Sequence, residues 1–327
     1  RSYMSMIIGN ATVNARSRIY PYIRKTFLEY SNYFSEMIGG EVWFKMENQQ
    51  HTGSFKARGA VNKIMNLTDS LSRSNEVYNG VVTASTGNHG AAVGYALSQF
   101  GLNGMVFVPE NASPSKLKNI SQYGVDIIKH GQDGVETENY ARQYADENGY
   151  VYISPYNDLD VIGGQGTIGI ELTAELEKPA DHIFVALGGG GLISGVSGFL
   201  KTEWPKINVI GCSPVNSMVM IKSVRAKKIL DIPSLPTISD GTAGGVEKGA
   251  ITFKFISKLV DEFETVTEEE IKNAMRLFMD VHHQMIEGAA GVAVASLIKQ
   301  RERLAGKRVV AIICGGNIDL QILKGIL

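Results

Sequence analysis

Cysteine is nearly absent from this chain: there are two in 327 residues, Cys212 and Cys314. One pair makes at most one disulfide, and a chain of this length builds its own core without it. The expected setting is therefore a reducing, cytoplasmic compartment. A charge excess is also lacking. Thirty-two Lys and Arg stand against 33 Asp and Glu, a net charge of −1, and no block of like charge is longer than Glu268-Glu269-Glu270. A protein that lives by binding nucleic acid or anionic lipid carries a basic excess, so no nucleic-acid or membrane partner is expected. The strongest apolar runs, such as Val309-Val310-Ala311-Ile312-Ile313, fall far short of the roughly 20 residues of a membrane span. No basic-then-apolar leader follows Arg1, so no signal peptide is expected.

What the chain does have is glycine, 36 residues against 9 prolines, in a background that is 44% apolar. That is the composition of an α/β protein, and the length predicts two domains or one with a large insertion. Short β-branched runs at 42–44, 81–84, 105–108, 125–128, 151–153, 183–187, 209–211 and 309–313 alternate with helical patterns at 56–67, 91–100, 135–148 and 193–201. A further helix opens with the capping box Thr267-x-x-Glu270 and places Ile271, Ala274, Met275 and Phe278 on one face. Such alternation predicts parallel sheets with helices on both sides. Turns at Gly101, Gly124 and Gly149 punctuate the middle third. Residues 73–150 read as a smaller domain inserted into a larger one made of 1–72 and 151–327.

Three segments carry chemistry. Ala186-Leu187-Gly188-Gly189-Gly190-Gly191-Leu192 joins a strand to a helix. Its glycines let successive N–H groups converge on one anion beside the positive end of the next helix. The fingerprint G-x-G-x-x-G fails, because Ile193 or Ser194 stands where its third glycine belongs, and no acidic residue follows at the ribose position. A lone phosphate fits better than a nucleotide, and a tight helix–sheet turn is the plain alternative. In His51-Thr52-Gly53-Ser54-Phe55-Lys56-Ala57-Arg58-Gly59-Ala60, Lys56 opens a helix at the end where the dipole disfavours a cation. A lysine working as a neutral amine suits that position, against the plain reading of a solvated surface residue. Lastly, Val81-Val82-Thr83-Ala84-Ser85-Thr86-Gly87-Asn88-His89-Gly90 runs from strand through polar turn to helix. Its hydroxyls, amide and free N–H groups suit a carboxylate, or simply cap a helix.

In order and spacing, Ser54-Phe55-Lys56-Ala57-Arg58-Gly59, Ser85-Thr86-Gly87-Asn88-His89-Gly90 and the glycines at 188–191 resemble the fold-type II pyridoxal-phosphate enzymes. Within that group the similarity is to the serine/threonine dehydratases and serine racemases. Gly164-Gln165-Gly166-Thr167, Asp240-Gly241, Glu287-Gly288-Ala289-Ala290-Gly291 and Cys314-Gly315-Gly316-Asn317 extend the match over about residues 20–320. The resemblance implies a tryptophan synthase β-like α/β fold, with two parallel-sheet domains and pyridoxal 5'-phosphate in the cleft between them. It implies that Lys56 binds the cofactor covalently and acts as the base on one face. Phe55 would flank the pyridine ring, Asn88 would hydrogen-bond its phenolic oxygen, and the N–H groups of Gly188, Gly189, Gly190, Gly191 and Leu192 would hold the phosphate. Ser85, Thr86, Gly87 and His89 would lie on the turn that grips the substrate carboxylate, with Thr86 a second acid/base. Gly241 and Glu287 would sit near the ring, and Cys314 would face the pyridine nitrogen. Tyr156 and the loop 241–246 would wall the pocket around the substrate's β-carbon.

The implied activity is dehydration and deamination of a β-hydroxy amino acid, L-threonine or L-serine first, to a 2-oxo acid and ammonia, by a homodimer. The alternatives are a specialised substrate (hydroxyaspartate, phenylserine or a hydroxyectoine-derived acid), serine racemisation, and a non-catalytic small-molecule binder that kept the fold. Racemases of this group carry serine at the position of Thr86, and most relatives carry serine at that of Cys314. A neutral thiol is a weak donor that leaves the ring a poorer electron sink, which favours prompt elimination. A buried small hydrophobe is the plain reading of Cys314. No metal is expected, because Ser213 and about Val219 stand where the family's divalent-cation ligands fall. No regulatory domain is expected after Leu327, an expectation that disfavours the isoleucine-sensitive type.

Overall fold

The computed structural model describes residues 2–75 and 77–327. Its strands are β1 (Leu28–Tyr30), β2 (Glu41–Met46), β3 (Gly80–Ala84), β4 (Gly104–Val108), β5 (Asp126–Lys129), β6 (Tyr150–Tyr152), β7 (His182–Ala186), β8 (Asn208–Pro214), β9 (Glu262–Val266) and β10 (Arg308–Ile313). The helices are α1 (Tyr3–Ile19), α2 (Asn32–Ile38), α3 (Lys56–Arg73), α4 (Asn88–Phe100), α5 (Pro114–Ser121), α6 (Gly134–Asn148), α7 (Leu159–Glu175), α8 (Gly191–Glu203), α9 (Val219–Ala226), α10 (Ile251–Leu259), α11 (Glu268–His282), α12 (Gly288–Lys299) and α13 (Leu320–Ile326). They build two sheets, in the orders β1-β2-β10-β7-β8-β9 and β5-β4-β3-β6.

Every pair among the described strands is parallel except β1 with β2. The antiparallel edge departs from the all-parallel expectation, and β1 and β9 are strands the periodicity did not announce. Both are edge strands with half-buried patterns, and β9 carries Glu262 and Glu264, so neither reads as a continuous apolar run. The central strands do read that way, because helices cover both their faces. Phe44, Phe184, Ile210 and Ile312 are fully buried in one core with Phe34 and Phe278. The helix expected over 56–67 runs on to Arg73, and the one expected from 91 starts at Asn88.

In both sheets the strand order reverses at one point: between β7 and β10 in the larger, and between β3 and β6 in the smaller. Strand ends diverge at such points and leave a crevice at their C-terminal edge. The glycine loop follows β7, Cys314 follows β10 and the Ser85 turn follows β3, so the three motifs meet where the topology opens.

Helix α3 is fixed from below by buried charge. Arg58 is fully buried and donates to Glu47 (2.6 Å and 2.9 Å) and to Glu171, while Lys45, also fully buried, donates to Glu171 (2.9 Å) and to the Thr26 carbonyl (2.8 Å). Two fully buried cations face two buried carboxylates, with the part-exposed Glu175 3.4 Å from Lys45 Nζ at the rim, so every buried charge has a partner, which is what makes its burial tolerable. The motif Gly164-Gln165-Gly166-Thr167 lies on α7 against this turn. A Cβ on Gly164 would fall 2.5 Å from the Arg58 carbonyl, so glycine there lets α7 and α3 close up.

Candidate active site

Residues 53–56 lie across the end of β10. Ser54 bridges to Gly315, the Phe55 N–H donates to the Cys314 carbonyl (3.1 Å), and the Gly316 N–H donates to the Gly53 carbonyl (2.9 Å). Lys56 follows as the first residue of α3. Its Nζ donates to the Pro155 carbonyl (3.2 Å) and lies 5.2 Å from the centre of the Phe55 ring. Burial lowers its pKa to about 8, against a weaker upward pull from Cys314 and Glu287. The helix N-terminus disfavours the cation further. A substantial minority of this lysine is therefore the neutral amine at physiological pH, where an ordinary lysine has almost none, and the neutral form is the nucleophile.

Opposite, Asn88 opens α4 and reaches across to the first turn of α12. Its Nδ2 donates to Glu287 Oε1 (2.9 Å) and Oε2 (3.1 Å), and its Oδ1 accepts from Asn317 Nδ2 (2.8 Å). Asn317 also donates its backbone N–H to Glu287 Oε2 (3.0 Å) and its second amide hydrogen to the Thr52 carbonyl (2.7 Å). Burial raises the Glu287 pKa to about 7, with its hydrogen bonds opposing. Gly241 packs on this carboxylate, its Cβ position 3.2 Å from Oε1. Cys314 is buried and its thiol is pushed well above its usual pKa, first by burial and then by Glu287, so it stays neutral.

The glycine loop supplies the third side. Gly190 caps α8 with φ +92°, a left-handed backbone that glycine takes without strain. A Cβ on Gly189 would stand 2.1 Å from the Tyr156 ring, and one on Gly190 2.3 Å from Ile256 Cδ1. Among the described residues no acceptor takes the N–H of Gly188, Gly189, Gly190 or Gly191. Free N–H groups at a helix N-terminus in a cradle that only glycine fits are an anion site. The Pro155 carbonyl that receives Lys56 is 3.5 Å from the Cβ position of Gly191, which sets the amine beside the cradle. An amine for an aldehyde, a cradle for a phosphate and an amide for a ring oxygen together fit pyridoxal 5'-phosphate.

The remaining expected residues fall as follows. Ser85 Oγ accepts from the Gly87 N–H (3.1 Å), and Thr86 and Gly87 line the turn before α4, with open space at the Gly87 Cβ position. The imidazole of His89 is committed to the chain: its Nε2 bonds the Ile153 carbonyl (2.9 Å), and burial with the Lys56 charge drives its pKa down to about 3. It therefore donates as a neutral ring that ties α4 to the end of β6. Tyr156 lays its ring on the glycine loop, with its hydroxyl accepting from the Glu247 N–H (2.8 Å), and Leu192 is buried in the first turn of α8. Where a cation ligand of the resembled family would fall, Ser213 Oγ donates to the Leu187 carbonyl (2.6 Å) and braces the strand that leads into the cradle. Asn317 and Pro155 were missed as site residues. Asn317 ends the motif Cys314-Gly315-Gly316-Asn317 and Pro155 precedes Tyr156, but nothing local to either segment shows that it meets Asn88 or Lys56.

A lysine amine and a backbone anion cradle, set in one cleft between two parallel-sheet domains, define a site for a lysine-anchored, phosphate-bearing cofactor. The family model described as pyridoxal-phosphate dependent enzyme matches residues 19–315, and the chain belongs to that family. It is 39% identical over 306 residues to an L-threonine ammonia-lyase of Thermotoga maritima, spanning 93% of this chain and 74% of that one. Its structure is similar to that of maize serine racemase, with a TM-score of 0.89 at 32% identity over 97% of this chain and 95% of that one. It is similar also to a threonine deaminase of Solanum lycopersicum, with a TM-score of 0.90 at 29% identity over 98% and 92% of the two chains.

Proposed function

We propose that this protein is a threonine/serine ammonia-lyase that eliminates the β-hydroxyl of its substrate and releases a 2-oxo acid and ammonia. The observation that carries the reading is Lys56, an amine whose pKa burial lowers to about 8, held through Pro155 beside the glycine cradle. The similarity to the Thermotoga ammonia-lyase, whose name gives that reaction, supports it.

When bound, pyridoxal phosphate supplies the electron sink that acidifies the substrate Cα–H. The chain's own groups do the rest. The N–H groups of residues 188–191 would hold the phosphate, and Asn88, itself held by Asn317 and Glu287, would offer an amide hydrogen to the ring oxygen. Thr86 and the first turn of α4 bind the substrate carboxylate. Lys56 would take the Cα proton and, as the ammonium so formed, return it to the departing β-hydroxyl, which leaves as water; one water is consumed again when the product hydrolyses to oxo acid and ammonia. Cys314, a neutral thiol, does not charge the ring nitrogen, which favours prompt loss of the hydroxyl over a long-lived carbanion. Residues 73–150 act as the smaller domain carrying the carboxylate turn, and the working unit is a homodimer. The buried, unpaired Cys212 and Cys314 fit a cytoplasmic setting.

The test is 2-oxo acid release by purified, cofactor-loaded protein from L-threonine, L-serine, threo-3-hydroxyaspartate and phenylserine side by side. Turnover led by threonine or serine, abolished by Lys56→Ala, is the expected result. Inverted substrate without oxo acid overturns it in favour of a racemase, and turnover of only the last two reassigns the substrate.

A further inference from the structure

One acidic side chain outside the groups assigned above gathers more of the site than any single motif does. Glu247 lies in the loop between the turn at 240–242 and α10, its side chain 16% exposed. Its Oε1 accepts from Ser154 Oγ (2.9 Å) and pairs with Arg142 Nη2 (2.9 Å), its Oε2 accepts from Asn157 Nδ2 (2.9 Å), and its backbone N–H donates to Tyr156 Oη (2.8 Å). Three of four consecutive residues, 154, 156 and 157, are thus bound to one residue. The fourth, Pro155, gives its carbonyl to Lys56, and the Tyr156 ring roofs Gly189. Arg142 belongs to α6, which covers the four-stranded sheet, and its guanidinium lies 4.0 Å from the centre of the Tyr152 ring on β6.

We infer that Glu247 is a positioning residue: it holds the platform 154–157 between Lys56 and the phosphate cradle, and through Arg142 it ties that platform to the smaller domain. The inference rests on the functional reading above. The carboxylate is chemically suited to the task, since two acceptor oxygens serve a hydroxyl, an amide and a guanidinium at once. Asn157 cannot turn its amide to compensate, because its Oδ1 accepts from the Ile251 N–H (2.9 Å). In Glu247→Gln one oxygen still serves Asn157, while the new NH2 faces Ser154, whose hydroxyl can turn to accept, and Arg142, which cannot. The two substitutions therefore separate the roles: alanine removes platform and tie, glutamine only the tie.

The experiment titrates wild-type apoprotein, E247A, E247Q and Arg142→Met with pyridoxal phosphate, following visible absorbance, and then measures kcat and KM of each loaded protein for threonine. Loss of the platform in E247A is expected to weaken cofactor affinity about tenfold or more, with E247Q restoring most of it. E247Q and R142M are expected to share a raised KM at near wild-type cofactor affinity, because the domain that carries the carboxylate turn has lost its tether. Wild-type affinity and KM in E247A overturn the inference. Should E247A fail to fold, E247Q and R142M with unchanged KM overturn it equally. A wild-type protein that takes up no pyridoxal phosphate overturns the functional reading instead, so the two failures are distinct.

Discussion

Lys56 and Glu287 are an acid and a base that burial moves toward the same pH, the lysine down to about 8 and the carboxyl up to about 7. Because only the neutral amine attacks an aldehyde, the rate at which apoprotein captures pyridoxal phosphate should climb with pH and level off above about 8. Stopped-flow absorbance reads this, and a rate still climbing near the ordinary lysine pKa of about 10.4 contradicts it. Glu287 has a stability consequence of definite sign. Between its ordinary pKa of 4.5 and about 7 the folded chain keeps a proton that the unfolded chain has released. The contribution of Glu287 to stability is therefore lost as pH rises through that window, by on the order of 3 kcal/mol. Buried neutral His89 contributes the opposite slope up to about 6.5, so the reading is a difference: the gap in urea midpoint between wild type and Glu287→Gln should shift steadily against the wild type as pH rises across the window. The roles of Lys56, Asn88 and the glycines came from the resemblance that three short segments carry together, since each segment alone also fits a plain structural reading. The parts played by Asn317 and Glu247 were not legible in the sequence. The hydrogen bonds that define them run to Asn88 and Ser154, 229 and 93 residues away, and no window of sequence contains both ends.

Among the elements, α3 and the loop before α8 carry the site, and each has one position where it fails most sharply. Replacing Arg58 by Met would strand Glu47 and Glu171 in the core with Lys45 alone to balance them. A loss of about 3–5 kcal/mol in urea unfolding is expected. Gly189→Ala would push its methyl into the Tyr156 ring, so affinity for pyridoxal phosphate should fall more than affinity for unphosphorylated pyridoxal in parallel titrations. The central strands and the capped α11 were readable because burial on both faces or an N-terminal box marks them in the chain. Strand β1 has three residues and β9 alternates charge with apolar side chains, and both exist because a neighbour offers an open edge. The same contextual effect starts α4 at Asn88, three residues before its apolar stripe, and so brings the amide to the mouth of the cleft.

For the whole molecule, cofactor and fold are linked, since the site is assembled from both sheets and only the native state presents it. Pyridoxal phosphate at about 100 times its dissociation constant should add about 2.7 kcal/mol of stability. In thermal melts the shift should be large in the wild type and much smaller in Lys56→Ala, where the covalent anchor is gone. The larger sheet also holds a lesson about biosynthesis. Its central strand β10, paired with β2 on one side and β7 on the other, spans Arg308–Ile313 and is the last of the described strands to be made. Until it leaves the ribosome, β2 and β7 face each other across a gap one strand wide, each with an open hydrogen-bonding edge of the kind that recruits other chains. The four-stranded sheet, drawn from residues 80–152, has all its strands long before then. Nascent chains should thus acquire a folded middle while their flanks wait for one late insertion, and that waiting period is when chaperones would matter most.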